Sequence, residues 1–359
     1  MKININVKNL DSELMFKNLD IRIGNKSFTT PEKASYKENS VSQINEIYKK
    51  FSINEGRSTK LEEILKSESY ESKINNEIKR CMNSNINFLF VDYADTKIPD
   101  DTYIETLSDI QYVYSDAVIT PSFSNIVRNM TGDELIDTYL EGTNKYLDVV
   151  ETLNNKCILG NIPFKVPRLN IKDIFENYCN RDITSFVIDF DGKCVETTLP
   201  KMRMLMRLMK DYGLLEDSFL YGINSYEGKF AKNAVEIPAK DFISMGYGID
   251  ILGMNHIPPR MPSEAWKTQP KNEISYRLFD RNIYGYTKKT NEDLKKMGIS
   301  NNHSDVKKFN NTEQCNETLS IRSLLQKEST LKGYLGSKSQ VEEKTLSNIK
   351  KLHKDAFKS

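Results

Sequence analysis

From about residue 86 the chain repeats one unit. A short apolar run ends in an acid, an amide or a proline, and a longer stretch with helical spacing follows. NFLFVDYAD (87–95) is the first run, and continuous apolar character of this kind predicts a buried parallel strand. SDAVITPSF (115–123) is the next, followed by a predicted helix over GDELIDTYLEGTNKYLDVVETL (132–153). KCILGNIPF (156–164) precedes helix IKDIFENYC (171–179), and TSFVIDFDG (184–192) precedes helix LPKMRMLMRLMKDYG (199–213). FLYGINS (219–225) precedes a helix over PAKDFISMG (238–246), and GYGIDILGMNHIPPR (246–260) carries the last strand of the series. Strand ends at Asp92, Pro121, Pro163, Asp191, Ser225 and Asn255 are 29, 42, 28, 34 and 30 residues apart, close to the length of a βαβ unit.

Alternation of this kind leaves two architectures, a (β/α)8 TIM-like barrel or an open doubly wound sheet. No G-x-G-x-x-G follows any strand, which weakens the nucleotide-binding open sheet, so the barrel is predicted. Residues 1–35 read as N-terminal strands with a hairpin turn at Gly24-Asn25. The barrel is expected over 36–300, with a polar helical insertion at 36–84 in which INEIYKKF and LEEILK carry helical spacing. ISYRLFDRNIYGYT and the region around Trp266 read as packing elements or the last barrel strands. Residues 301–359 form a helical C-terminal extension, in which NNHSDVKKFNNTEQCNET looks like a linker. Met202, Met204, Met206 and Met209 are read as core packing.

Composition narrows the function classes. Lys and Arg number 51 against 50 Asp and Glu in 359 residues, so no global basic field advertises a nucleic-acid partner. Five scattered cysteines without a C-x-x-C pair argue against a zinc ribbon and a disulfide framework. Three dispersed histidines do not suggest a metal cluster, and no cofactor is expected. MKININVKNLDSELMFKN lacks the apolar core of a leader and no 18-residue apolar run occurs, so a soluble, cytoplasmic protein without membrane contact is expected.

In a barrel the chemistry sits at the C-terminal ends of the strands. Those ends carry Asp92 and Asp95, Ser122, Asn161, Asp189 and Asp191, Asn224 and Ser225, then Asn255 and His256. Converging carboxylates supply a nucleophile or a general base, because paired acids push each other's pKa values apart. Strand-to-loop junctions also favour Asp and Asn simply as turn and cap formers. His256 is an acid–base candidate, HIPPR reads as a rigid exit turn, and Arg260 as a ligand-binding cation. VIDFDGK resembles the D-x-D-G-T opening of haloacid-dehalogenase-type phosphatases, which implies a Mg²⁺-dependent alternative using Asp189 and Asp191. Lys193 stands where that family has threonine.

The order of segments over residues 20–260 resembles the tRNA-guanine transglycosylase family, barrels that exchange guanine in RNA for a modified deazaguanine. IRIGNKSFTTP is similar to its opening hairpin, FLFVDYAD to its D-S-G-G-[FY]-Q strand, and IQYVYSDAVITPS to I-Q-x-x-L-G-A-D-I-x-M-x-x-D-E-C. KCILGNIPF falls on F-G-I-V-Q-G-G, ITSFVIDFDGK on F-D-G-Y-A-I-G-G-L, FLYGINSYEG on Y-L-M-G-V-G-T-P-E-D, and GYGIDILGMNHIPPR on G-I-D-M-F-D-C-V-L-P-T-R. The resemblance implies that Asp92 is a general acid/base. Asp189 is the other candidate for the chemistry, while Asp191, Asn161, Asn224, Asn255, His256 and Arg260 line a substrate site. The departures are equally specific. Gly253 stands at the family's nucleophile, Pro121 or Ser122 near its base-holding aspartate, Pro163 near its glutamine and Val195-Glu196 near its glycine pair; the zinc motif is absent. Asp250, three residues before Gly253, is about 10 Å away on the opposite side of the pleat. Two expectations follow from the resemblance. One is a divergent base-exchange glycosyltransferase acting on a nucleic acid, tRNA or DNA. The other is a non-catalytic binding or assembly subunit, working with a catalytic partner subunit or as a homodimer.

Overall fold

The computed structural model describes residues 3–36, 41–54, 56, 58–153, 155–231, 234–257 and 275–357. The chain opens with an antiparallel meander, β1 (Asn4–Leu10), β2 (Lys17–Ile23) and β3 (Lys26–Thr29), in which Gly24 turns at φ 60°. Its apolar face, with Leu19, Ile21, Ile23 and Phe28 buried, covers one end of the strands that follow.

Those strands are parallel. A six-stranded sheet runs in the order β4 (Glu32–Lys33), β13 (Ile251–Leu252), β11 (Leu220–Ile223), β10 (Phe186–Asp189), β9 (Ile158–Pro163) and β8 (Val118–Ile119). A second parallel set holds β5 (Ile44–Ser52) between β6 (Thr59–Lys60) and β7 (Ile86–Tyr93). Two parallel bridges link the sets. Ser35, just past β4, pairs with Asn45 of β5, and Asp92 of β7 pairs with Ser122, just past β8. The latter carries Tyr93 N–Ser122 O and Ser122 N–Val91 O hydrogen bonds of 2.8 Å each.

Side chains alternate across these strands and sort the core into two clusters. Phe88, Phe90, Leu159, Val187, Tyr221 and Ile251 share one face with the meander. Leu89, Val91, Ile162, Ile188 and Leu220 share the other with the helices. Those helices are α1 (Leu61–Lys66), α2 (Glu68–Lys79), α3 (Asp101–Tyr114), α4 (Ser124–Asn129), α5 (Gly132–Leu153), α6 (Asn170–Cys179) and α7 (Leu199–Asp211). In α7, Met202, Met206 and Met209 are buried, each worth about 1.5–3 kcal/mol of burial, and Met204 packs at the cluster's margin. Gly160 has no Cβ because one would stand 2.6 Å from the Tyr178 ring of α6.

Four sequence expectations are corrected. INEIYKKF is no helix but most of β5; Ile47 and Phe51 point towards the helices while Ile44, Glu46 and Tyr48 point to the other face. Its apolar residues satisfy both periods, and pairing with β7 decides for the strand. Residues 276–289 add no parallel strand. β14 (Tyr276–Asp280) and β15 (Gly285–Lys289) form an antiparallel sheet with β12 (Glu236–Pro238), and PAKDFISMG yields only that strand and a 3-10 turn, Phe242–Tyr247. The expected linker after residue 301 lies within one long helix, His303–Leu325. That helix packs on β4, with Asn311 donating to Ala34 O (2.9 Å) and Arg322 to Thr29 O (2.9 Å). A last helix, Glu343–Phe357, packs against α7. Among the described residues no helix is long and apolar enough to cross a membrane.

Candidate functional site

In parallel sheets the strand amides and carbonyls at the carboxyl ends lead into loops, and ligand groups collect there. Alternation places Asp92, Asn161 and Asp189 on the face opposite the helices, at or near the ends of three strands. Asp92 is buried. Its Oδ2 accepts from the Tyr48 hydroxyl at 2.7 Å and lies 3.7 Å from Lys50 Nζ. Among the described residues nothing donates to its Oδ1, nor to Asn161 Oδ1, although both atoms are buried. Asn161 Nδ2 donates to Ser122 Oγ at 2.9 Å.

Asp189 accepts from the Asp191 amide and from Asn224 Nδ2, each at 2.9 Å. Burial pushes its carboxyl up to about 6, assisted by the charges of Asp191 and Asp92 and opposed by those two hydrogen bonds. Asp191 turns with φ 49° and is flanked by Arg128 Nη2 at 3.4 Å and Lys165 Nζ at 3.8 Å. A small cleft opens here, lined by Ser122, Arg128, Tyr139, Asn161, Lys165 and Asp189 among others.

Asn224, at φ 57°, joins a second group to the first: its Oδ1 accepts from the His256 amide at 2.8 Å. The His256 ring stacks on Tyr48 with centroids 4.2 Å apart, and its Nε2 lies 2.5 Å from Glu46 Oε1. Glu46 is fully buried and also accepts from the Tyr221 hydroxyl (2.5 Å) and the Met254 amide (2.9 Å). Burial opposes its charge, yet His256, Lys33 and the Tyr221 hydroxyl together carry the carboxyl below its ordinary value. Lys33, buried beside it, donates to the carbonyls of Ala34, Leu252 and Gly253 (3.1, 3.2 and 2.9 Å). Burial lowers its pKa against the pull of Glu46.

The expected residues are therefore sorted. Asp92, Asn161, Asp189, Asn224 and His256 cluster, and Asp191 sits on the rim with its two cations. Asp92, Asn224 and His256 stand beside the cleft rather than in its wall. Asn255 is exposed and spends its Oδ1 on the Ile257 amide (3.0 Å), a turn contact. Arg260 lies outside the described residues. Asp250 belongs to the other end of its strand, where it accepts from the Leu220 amide (2.9 Å) and pairs with Lys17 at 3.1 Å. Asp95 is structural, accepting from the Ile53 amide.

At Gly253, a Cβ would meet Glu46 Oε2 at 2.5 Å, so the carboxylate of β5 occupies the space a side chain there would need. Glu46, Tyr48, Arg128 and Lys165 were invisible as site residues in the sequence. Glu46 and Tyr48 were hidden by the helical reading of β5, in which their i, i+2 relation has no meaning. Among the described residues no three His, Cys, Asp or Glu side chains are grouped to hold a metal ion. No family model matches the chain, and no curated protein matches it significantly.

Proposed function

We propose that the chain is a (β/α)8 barrel and that the cleft at its strand ends binds a nucleobase, as in a divergent tRNA-guanine-transglycosylase-like protein of nucleic-acid modification. The barrel reading is supported by the two bridges, which connect eight parallel segments in the circular order β4, β13, β11, β10, β9, β8, β7, β5. One observation carries the ligand reading. Two buried acceptors, Asp92 Oδ1 and Asn161 Oδ1, stand without donors among the described residues, beside Asp189 and in or next to the strand-end cleft. A buried acceptor without a donor costs about 1–3 kcal/mol, which a ligand with ring N–H and amino groups offsets. Asp189, with a carboxyl that titrates near 6, suits proton exchange with such a base. Asp92 is the general acid/base of this reading, and Arg128, Lys165 and Lys50 are the cations that would meet the phosphates of an RNA or DNA strand.

Calorimetric titration of the purified chain with guanine and 7-deazaguanine tests the reading, followed by exchange of labelled guanine into tRNA and into DNA. Binding of one base per chain is expected, weakened about tenfold or more by Asn161→Ala. No binding of either base sinks it. Binding with no exchange in either nucleic acid favours the second reading, a non-catalytic subunit. Gly253 is the observation behind that alternative, because it leaves the family's nucleophile position without a carboxylate.

A further inference from the structure

We infer that Glu46 and His256 form a carboxylate–imidazole pair in which the buried carboxylate fixes the ring, making Nδ1 the proton-transfer atom of the strand-end site. The inference deepens the nucleobase reading and rests on it only for the identity of the ligand. The ring is held in three ways at once. Glu46 Oε1 takes Nε2 at 2.5 Å, Tyr48 stacks on its face at 7° between planes, and Asn224 binds its backbone amide. The carboxylate is itself fixed, by the Tyr221 hydroxyl and the Met254 amide, and is fully shielded from solvent. The His256 side chain keeps 15% exposure while that of Glu46 keeps none.

An ionised acceptor at Nε2 selects the tautomer that carries its proton there, leaving the Nδ1 lone pair free. Gly253 makes the pair possible. Any side chain at that position would occupy the volume of Glu46 Oε2. Asn224 then ties the His256 backbone to Asp189, since its Nδ2 donates to the Asp189 carboxylate and its Oδ1 accepts from the His256 amide. In the transfer, Nδ1 takes the proton of a base N–H. The N–H bonding pair stays on the base nitrogen, and the imidazolium lies against the Glu46 carboxylate. The reverse transfer protonates a departing base. His256 is the catalytic residue of this step; Glu46 and Tyr48 are positioning residues.

The test is a long-range ¹H–¹⁵N spectrum of the full chain labelled with ¹⁵N-histidine, with His256→Asn assigning the signal among the three histidines. The expected wild-type spectrum shows Nε2 protonated and Nδ1 bare. In Glu46→Gln the ring proton moves upfield and both tautomers are seen. A wild-type ring protonated at Nδ1 overturns the pairing, a reading that needs no variant to fold. Unchanged His256 signals in a folded Glu46→Gln overturn it equally. Adding guanine should shift Nδ1, and calorimetric binding without that shift overturns the proton-transfer role. If guanine does not bind, the nucleobase reading falls, and the pair is decided by the tautomer alone.

Discussion

Gly253→Ala is the sharpest probe of how the site is built. Its Cβ would lie 2.5 Å from Glu46 Oε2, 2.7 Å from Tyr221 Cε2 and 2.8 Å from Ile223 Cγ2. None of the three yields easily. Tyr221 and Ile223 are core residues with almost no exposure, and Glu46 is held by three partners. Forcing a methyl group into such a space costs about 1–3 kcal/mol. Loosening a hydrogen bond to a buried charge adds about 1–3 kcal/mol, so a total of about 2–6 kcal/mol is expected. Urea unfolding followed by circular dichroism reads this as a lowered midpoint at unchanged slope. A variant within about 0.5 kcal/mol of the wild type refutes the close packing of Glu46 under Gly253. The contact itself is isolated by a double-mutant cycle. Glu46→Ala opens the space, so in that background Gly253→Ala should cost at least about 1 kcal/mol less; strict additivity means the two positions do not touch.

Three further outcomes follow from the geometry. Asp189 has a folded pKa of about 6, above an unfolded value of about 3.9, so its contribution to stability is complete below about pH 4 and is lost as pH rises through 6. Asp189→Asn should therefore gain on the wild type between pH 4 and 7, by on the order of 1–2 kcal/mol in urea midpoints, and a pH-independent difference contradicts the raised pKa. Tyr48→Phe strips Asp92 of its 2.7 Å donor and His256 of nothing but a polar edge, so thermal melts should show a loss of about 1–3 kcal/mol, with no loss meaning that Asp92 is not buried as described. Asp250→Asn breaks a buried pair with Lys17 and should cost about 3–5 kcal/mol while leaving guanine affinity unchanged; weakened binding in the folded variant would place Asp250 at the wrong end of its strand.

The parts legible in the sequence were those whose periodicity admits one solution. Gly132–Leu153 carries an apolar stripe over six turns, and Ile86–Tyr93 is apolar at every position, so both were read with the right type and nearly the right bounds. Ile44–Ser52 has isoleucines at 44 and 47 and an aromatic at 51, a spacing that fits a helix face as well as one side of a strand. The tie is broken by β7, whose partners lie some 40 residues away and leave no local signature. The site divides along the same line. Asp92, Asp189 and Asn224 announce themselves at strand ends, whereas Glu46 acquires meaning only from His256, Tyr221 and Met254, each more than 170 residues on. Asn255 and Asp250 look equivalent to their neighbours in one dimension; the pleat and the strand direction separate them.

The lateral bonds of β4 also govern how the chain must emerge from a ribosome. The Glu32 and Ala34 amides bond to Asp250 O and Leu252 O, and the Thr29 and Ala34 carbonyls receive Arg322 and Asn311. At roughly 5–20 residues per second, the interval between synthesis of residue 34 and residue 250 is roughly 10–40 s. Throughout that interval the segment has a neighbour on one side only, at Asn45, and presents a bare strand edge to other chains. Expression yield should therefore depend on what shields the nascent N-terminal portion, such as a chaperone holding residues 29–36, as much as on the stability of the finished protein.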